Sequence, residues 1–283
     1  MDYAVETHNL FKNYKEFVAL HSVDISVPSG KIYGLIGPNG AGKTTLIKLL
    51  CGLLKPTNGT VKVLGLDPIK DSDKLTKLIG YMPQNPALYE DLSAKDNVKF
   101  FAEALCVKDV KNEVSKVLNF VELSHRANQK VYTFSGGMKK RVSLACTLVH
   151  KPKIIFLDEP TAAIDPDLKS KTWKLFRELA NLGNTIFVST HMMEEAINCD
   201  QLAIMIEGKI ITILTPSDYR KKGMLKVKIN YDNGKEINET ISSTPEKIAI
   251  FLKTLGLDKD ITSVGIEEEG LEKILFQMVK DIK

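Results

Sequence analysis

The fold of this chain is decided by residues 37–45, which read Gly37-Pro38-Asn39-Gly40-Ala41-Gly42-Lys43-Thr44-Thr45. The apolar run Ile32–Ile36 before them is typical of a buried strand, and the run from Thr45 to Leu50 is typical of a helix. A glycine-rich loop that joins a strand to a helix and closes with Lys-Thr predicts phosphate binding. The alternative is a structural glycine turn between the strand and the helix.

The residue types in this loop suit a nucleotide with bound Mg²⁺. Consecutive backbone N–H groups converge on phosphate oxygens at the helix N-terminus, and glycines let the backbone approach them closely. Lys43 is predicted to neutralise the outer phosphates, and the Thr44 hydroxyl is predicted to ligate Mg²⁺. We therefore expect every residue from Gly37 to Thr45 to contribute to the nucleotide site.

The composition is that of a soluble globular protein, with 283 residues, of which 43% are hydrophobic and 26% charged. No apolar run approaches the roughly 18 residues that span a bilayer, and the start, Met1-Asp2-Tyr3-Ala4, does not resemble a signal peptide. We expect the chain to stay in the cytosol. The net charge is only +4 and the basic residues are scattered, so no nucleic-acid partner is expected.

The four cysteines show no paired spacing. They are Cys51, Cys106, Cys146 and Cys199. Their spacing indicates buried thiols and neither a disulfide set nor a cysteine metal site.

The pattern along the chain predicts an α/β fold. Alternating residues from Val5 to Ser29 indicate a small antiparallel sheet. Residues 93–122 show helical spacing and predict an inserted helical lobe at about residues 85–150, after a short lysine-rich helix over residues 71–77. The apolar runs 153–157, 185–189 and 202–206 predict buried parallel strands covered on both faces. The whole is a P-loop NTPase core sheet with an antiparallel β subdomain and a helical lobe.

A second, smaller unit is predicted after the core. The pattern becomes polar and basic around residues 216–223, so we divide the chain into a domain that contains the phosphate loop, 1–220, and an α+β accessory domain, 221–283. Strands are expected near residues 225–231, 237–241 and 261–266, and a helix over 245–255. A last helix has an apolar stripe that packs on the unit's own sheet or on a second copy, formed by Leu271, Ile274, Leu275, Met278 and Val279.

A pair of carboxylates follows one of the buried strands. Ile154-Ile155-Phe156-Leu157 leads directly to Asp158 and Glu159, at the strand end where α/β sheets place functional groups. Asp158 is predicted to hold Mg²⁺, and Glu159 to orient and deprotonate an attacking water. The alternative is a strand end with two solvated acids.

The segment Phe134-Ser135-Gly136-Gly137-Met138 opens a helix and forms a second helix N-terminus suited to an anion. With the loop before it and Asp158-Glu159 after it, the chain resembles the ATP-binding cassette ATPases, whose signature is a Leu-Ser-Gly-Gly-Gln turn. The resemblance covers about residues 3–220. It implies that Ser135, Gly136 and Gly137 close over the nucleotide of a second copy, in a head-to-tail dimer formed on ATP binding.

The same resemblance assigns roles to five further residues. Gln84 senses Mg²⁺ and the terminal phosphate, His191 contacts the γ-phosphate and the attacking water, and Asp165 lies in the loop that joins the two sites of the dimer. Tyr14 stacks on adenine, with Val18 beside it. Taken singly, Gln84 and His191 read as ordinary polar strand-end residues, and Tyr14 as a surface or core residue.

The chain departs from the family pattern at the signature, where Met138 replaces Gln and Phe134 replaces Leu. The backbone N–H groups and the Ser135 hydroxyl remain, so we expect an active ATPase. Three features resemble the drug- and polysaccharide-exporter branch. They are the signature Phe134–Met138, the segment Gly80-Tyr81-Met82-Pro83-Gln84 and the short C-terminal unit.

The expected function is thus that of an ATP-hydrolysing subunit that powers a separate transmembrane permease and lies at the inner face of the membrane. The permease is expected to dock near the loop after Gln84, where Leu88 and Tyr89 either form part of a groove or pack under the helical lobe. A family member serving DNA repair, translation or cofactor assembly is the alternative function, and a non-catalytic nucleotide-binding scaffold is another. Long coiled coils or two cassettes in one chain would favour the former, and neither appears.

Overall fold

The structure is a computed structural model that describes residues 2–162, 164–215, 218, 224–242, 244–255 and 260–268. The chain divides into two compact units, Met1–Ile213 and Leu214–Lys283. The domain boundary expected at residue 220 stays a prediction, because residues 216, 217 and 219–223 lie outside the described part.

The first unit is built on a six-stranded sheet with the order β5-β6-β7-β3-β8-β9. Neighbours from β5 to β8 run parallel. The strands are β3 (Ile32–Ile36), β5 (Ile79–Met82), β6 (Ile154–Asp158), β7 (Thr185–Thr190), β8 (Gln201–Ile206) and β9 (Lys209–Leu214). Parallel strands that meet at one edge bring their C-terminal residues together, which is what the functional site requires.

The central strands β3, β6 and β7 are buried on both faces, as the continuous apolar runs predict. Ile154 and Phe156 of β6 belong to one hydrophobic cluster together with α1 (Lys43–Leu50). Ile155 and Leu157 belong to the other cluster, together with α6 (Pro166–Asn181). The α/β fold class is therefore confirmed.

An antiparallel sheet of order β2-β1-β4 packs into the first of these clusters. Its strands are β1 (Tyr3–Tyr14), β2 (Phe17–Pro28) and β4 (Asn58–Val63). In β2 buried positions alternate with exposed ones from Val23 to Val27, so one face is wet and one is packed.

The helices of the predicted lobe are α3 (Ala94–Ala104), α4 (Val110–Phe120) and α5 (Gly136–Leu148). Each begins at a side-chain cap, in which Ser93, Asp109 and Ser135 accept a hydrogen bond from the backbone N–H three residues later. The lysine-rich helix expected over residues 71–77 is shorter, since α2 spans only Ser72–Leu75. A turn in which the Leu78 N–H donates to the Leu75 carbonyl ends it and leads into β5.

The second unit contains an antiparallel sheet of order β11-β10-β12. Its elements are β10 (Met224–Tyr231), β11 (Glu236–Ser242), α7 (Pro245–Leu255) and β12 (Ile261–Glu268). Leu225, Val227 and Ile229 of β10 form its buried core. The predicted last helix, residues 271–279, lies outside the described residues.

Two further predictions concern cysteines and membrane spans. All four cysteines are free, but Cys106 is exposed in the turn after α3, so its prediction as a buried thiol is wrong. Cys146 and Cys199 are buried, and Cys51 is half-buried. In the described part of the chain, no helix has both the length and the apolar character that crossing a bilayer requires.

Candidate functional site

The phosphate-binding loop leaves the C-terminal end of β3 and enters α1 at Gly42, the N-cap residue. Gly42 has φ 104, and a Cβ there would lie 2.8 Å from the Ala19 carbonyl oxygen. A Cβ on Gly37 would lie only 2.1 Å from the Met205 carbonyl oxygen of β8. These two positions therefore require glycine, for backbone conformation and close approach at Gly42 and for close approach alone at Gly37.

The loop lines a cleft of about 330 Å³. Gln84 and Glu159 also line this cleft, and so do Phe17 and Ala19 from the start of β2. The loop residues that contribute are Asn39, Gly40, Ala41, Gly42, Lys43, Thr44 and Thr45. The predicted phosphate loop, Gln84, which is predicted to sense Mg²⁺, and Glu159, the predicted base, thus line one cavity.

Asp158 lies fully buried at the end of β6. Its Oδ2 accepts a hydrogen bond of 2.7 Å from the Thr44 hydroxyl, and its Oδ1 accepts one from the Ser189 hydroxyl. Asp158 and Ser189 are register partners on the parallel strands β6 and β7, which explains why their side chains meet. Thr44 and Asp158, two of the three residues predicted to contact Mg²⁺, are therefore in direct contact with each other.

Glu159 is the centre of the candidate site. Its carboxylate lies 3.3 Å from Lys43 Nζ and 3.3 Å from His191 Nδ1, and accepts a 3.0 Å hydrogen bond from Gln84 Nε2. Glu159 is also one of the non-glycine residues with positive φ, at 49°. Strained backbone of this kind persists where surrounding contacts fix it, and such residues cluster at functional sites.

Lys43 is buried, and its ammonium group is satisfied within the cleft. Nζ donates to the carbonyl oxygens of Gly37, at 2.8 Å, and Pro38, at 3.1 Å, besides its ion pair with Glu159. The buried cation therefore lies between the loop backbone and the carboxylate.

The signature turn and Asp165 lie apart from this cleft. Ser135 caps α5 and accepts a hydrogen bond from the Met138 N–H, while Ser135 and Gly136 are exposed. Asp165 is also exposed and caps α6 through the Leu168 N–H, at 2.9 Å. Within one chain, Ser135, Gly136, Gly137 and Asp165 are not among the residues that line the cleft.

A buried polar cluster connects the acidic loop, residues 159–162 after β6, to the segment after His191. The Thr161 hydroxyl donates to Glu195 Oε1 at 2.5 Å, and Lys169 Nζ of α6 lies 3.2 Å from the same oxygen. Thr161 and Glu195 are 2% and 1% exposed. Because a buried carboxylate is costly without partners, this cluster fixes the two segments together.

Tyr14 and Val18, which are predicted to contact adenine, are not among the residues that line the cleft, and their role stays a prediction. Tyr14 ends β1, and Lys12 Nζ lies 5.0 Å from the centre of its ring. Val18 is paired with Asn13, whereas its neighbours Phe17 and Ala19 line the cleft. Side chains alternate along a strand, so Phe17 and Ala19 share a face that Val18 does not.

The sequence does not predict three residues of the site, Phe17, Ala19 and Ser189. Ser189 is a buried hydroxyl near the end of an apolar strand, and the strand register that places it against Asp158 is not visible in the sequence. Phe17 is 63% exposed and follows a two-residue turn, a position that carries no signal of ligand contact.

An apolar groove of about 460 Å³ lies elsewhere in the first unit, between the end of β5, α3 and α5. Leu88 lines it, and Tyr89, beside the groove, packs edge-on against Phe100 with ring centres 5.0 Å apart. Its other large apolar side chains include Leu53, Tyr81, Pro83, Phe100 and Phe101.

The family model described as ABC transporter matches residues 20–162. Linearmycin resistance ATP-binding protein LnrL of Bacillus subtilis is 33% identical over 93% of this chain and 83% of its own length. Nod factor export ATP-binding protein I of Sinorhizobium fredii is 33% identical over 90% of this chain and 76% of its own. Probable multidrug ABC transporter ATP-binding protein YbhF of Escherichia coli is 38% identical, and the chain spans only 38% of its length.

Solved structures are also similar to this chain. The ATP-binding cassette MJ0796, in a dimeric post-hydrolysis state bound to ADP and Pi, superimposes with a TM-score of 0.70 and 29% identity. The match covers 75% of this chain and 98% of that one.

Proposed function

The chain belongs to the ABC transporter family of ATP-binding proteins, and on that premise we propose that it hydrolyses ATP to power a separate membrane-spanning exporter subunit. The observation that carries this proposal is the convergence of Lys43, Gln84 and His191 on the Glu159 carboxylate beside the phosphate loop. The names of the relatives, which concern multidrug transport, Nod factor export and linearmycin resistance, support export over a role in DNA repair or translation.

The proposed reaction converts ATP and water to ADP and phosphate. Glu159 takes a proton from the attacking water, and Gln84 and His191 hold that water and the terminal phosphate in line. Lys43 exchanges the carbonyl oxygens of Gly37 and Pro38 for phosphate oxygens and so neutralises negative charge at the reacting centre.

The residues at the end of β6 fit a Mg²⁺ ion. Mg²⁺ is usually held by one or two protein oxygens together with substrate phosphates, and in the described residues no group of three or more His, Cys, Asp or Glu forms an all-protein cage. Thr44 and Gln84 would ligate the ion, and Asp158 would hold it directly or through the Thr44 hydroxyl that it already orients. When bound, the ion neutralises charge on the phosphates.

A second copy of the chain would complete each site. Ser135, Gly136 and Asp165 are exposed and lie outside the cleft of their own chain, so they are free to contact the nucleotide of another. We propose a head-to-tail homodimer that closes on ATP, with a turn at a helix N-terminus facing each terminal phosphate.

The apolar groove suits the permease. Phe100 and Leu53 are 45% and 59% exposed there, and Glu90 and Asp91 follow Tyr89 at its edge. A short helix of the permease laid in this groove would place the chain at the inner face of the membrane and transmit the closing motion.

The variant Glu159→Gln tests the function. It keeps the shape of the side chain but removes the base, so turnover should fall by about 10²- to 10⁴-fold, while ATP binding persists and an ATP-bound dimer accumulates in size-exclusion chromatography. The matched control is Glu103→Gln, which changes an exposed carboxylate on α3 that pairs with Lys99 at 3.6 Å. Near-normal turnover in Glu159→Gln would remove Glu159 from the role of base.

A further inference from the structure

We propose that Lys140 is a positioning residue that links the Ser135 turn, through helix α5, to the backbone of Glu159. Contact between that turn and the partner's nucleotide would then determine the position of the catalytic base, Glu159. This inference rests on the proposed function, because it concerns the same ATP hydrolysis. It assigns a role to a lysine that neither lines the nucleotide cleft nor touches the Glu159 carboxylate.

The contact is made to peptide groups. Lys140 Nζ donates to the carbonyl oxygen of Glu159 at 3.2 Å and to that of Ala162. In the part of the chain that the structure describes, no carboxylate oxygen lies within ion-pair distance of Lys140. Burial lowers the pKa of Lys140, while the negative charges of Glu159 and Glu195 act in the opposite direction. The half-buried ammonium is therefore satisfied largely by the two carbonyl groups.

The peptide that Lys140 holds is the strained one. Glu159 has φ 49, a conformation that non-glycine residues adopt only at a cost in free energy. Its N–H donates to the carbonyl and the hydroxyl oxygen of Ser189, at 3.1 Å each. Ser189 thus holds the N–H of Glu159, and Lys140 holds its carbonyl oxygen. The Glu159 carbonyl also accepts a 3.3 Å hydrogen bond from the Ala162 N–H. Without Lys140 it keeps only that long bond, so the peptide is held less firmly and the carboxylate is aimed less well at the cleft.

The other end of the link is the signature turn. Ser135 caps α5 and Lys140 lies five residues further along the same helix, a rise of roughly 7.5 Å. A helix transmits displacement along its axis as a rigid element. A shift of the turn when it meets the partner's nucleotide therefore moves the ammonium group that holds Glu159.

The neighbouring Lys139 provides a matched control. It lies on the same helix, but its ammonium pairs with Glu90, away from the acidic loop. Substituting Lys139 removes the same charge from α5 and leaves the Glu159 peptide untouched.

The experiment compares Lys140→Met, Lys140→Arg and Lys139→Met by steady-state ATPase kinetics in the full chain. We expect kcat to fall at least tenfold in Lys140→Met with KM within about twofold, Lys139→Met to stay near wild type, and Lys140→Arg to regain most of the loss. In the Glu159→Gln background, Lys140→Met should still form the ATP-bound dimer, because Lys140 does not touch the nucleotide.

Two results would overturn the inference. One is wild-type kcat in Lys140→Met, and the other is a parallel loss of ATP-dependent dimerisation and thermal stability, which indicates a merely structural role. If Lys140→Met does not fold, Lys140→Gln, which keeps a shorter neutral donor, takes its place under the same criteria. A wild-type chain without ATPase activity would defeat the proposed function itself, whereas an active wild type with an unaffected Lys140→Met defeats only this inference.

Discussion

The side chain of Phe17 faces the same cleft as the phosphate loop, and it is exposed enough to offer a flat surface to a ligand. Tyr14 lies across the hairpin from it, as its register partner, with the Lys12 ammonium over its ring. A base that enters the cleft beside the loop therefore meets Phe17, while the stacking role of Tyr14 stays a prediction. Aromatic stacking does not discriminate strongly among bases.

We expect Phe17→Ala to raise the KM for ATP about fivefold, which corresponds to the lower end of the roughly 1–3 kcal/mol that one base–aromatic stack contributes. The kcat should not change, because the Glu159 carboxylate is held by Lys43, Gln84 and His191 and not by Phe17. Tyr14→Ala is the comparison, assayed with ATP and GTP in steady state. An unchanged KM in Phe17→Ala would contradict base stacking by Phe17 and would assign that role to Tyr14.

At the scale of single residues, the sequence predicts those site residues that belong to a local motif. Lys43 and Thr44 are fixed by their loop, and Asp158 and Glu159 by the strand before them. The hydroxyl of Ser189 and the ammonium of Lys140 reach the same site from remote positions in the chain. Their contribution depends on strand register and helix placement, which local patterns do not encode.

At the scale of elements, the helical lobe depends on an ion-pair cluster around Glu113. This carboxylate of α4 lies 2.9 Å from Lys116 of the same helix and 2.9 Å from Lys151, just beyond α5. Hydrogen bonds from Lys151 and Lys116 hold the pKa of Glu113 below its usual value of 4.5. The cluster therefore links the polar edges of α4 and α5, which the apolar contacts between the two helices do not join.

Glu113→Gln should therefore lower the free energy of unfolding by about 1 kcal/mol at pH 7. Since the folded-state pKa is lowered, this stabilisation is present in full above the unfolded pKa and is lost as pH falls through the folded value. Urea unfolding of wild type and variant at pH 7 and at successively lower pH below 4.5 measures the difference. Glu122→Gln, whose carboxylate is 64% exposed, should show little change at any pH. A difference between wild type and Glu113→Gln that does not depend on pH would contradict the assignment.

Apolar periodicity predicts most elements, and hydrogen bonding sets their ends. The strand expected at residues 153–157 is Ile154–Asp158, and that at 185–189 is Thr185–Thr190. The helix expected over 71–77 keeps only the turn Ser72–Leu75, because the hydrogen bond from the Leu78 N–H to the Leu75 carbonyl closes it. Such closing contacts have no signature in composition.

At the scale of the whole molecule, the sequence predicts an α/β core followed by a small α+β unit, but not the strand order. Strand β3 lies between β7 and β8, which come more than 140 residues later in the chain. Crossover connections of this kind depend on which strands pack together in three dimensions, and the continuous apolar runs of all these strands are alike.

Because the cleft lies within Met1–Ile213, nucleotide binding should stabilise that unit. In Glu159→Gln with Mg²⁺ and ATP at about 100 times its Kd, linkage predicts a gain of about 2.7 kcal/mol in the free energy of unfolding. Urea titrations monitored by the fluorescence of Trp173, a buried residue of this unit, measure it. Adding Lys43→Ala should abolish the gain, and an equal gain without Lys43 would place the nucleotide elsewhere.

The two contacts of the Ser189 hydroxyl also determine where its proton points. Since its oxygen accepts from the Glu159 amide, its single hydrogen is left to donate to Asp158, whose second oxygen already accepts from Thr44. Each oxygen of that carboxylate thus accepts one hydrogen bond and keeps a further lone pair. These hydrogen bonds at the strand end therefore all run toward the Asp158 carboxylate, where a cation would bind. The single hydroxyl of Ser189 links the two neighbouring acids, because it accepts from one and donates to the other.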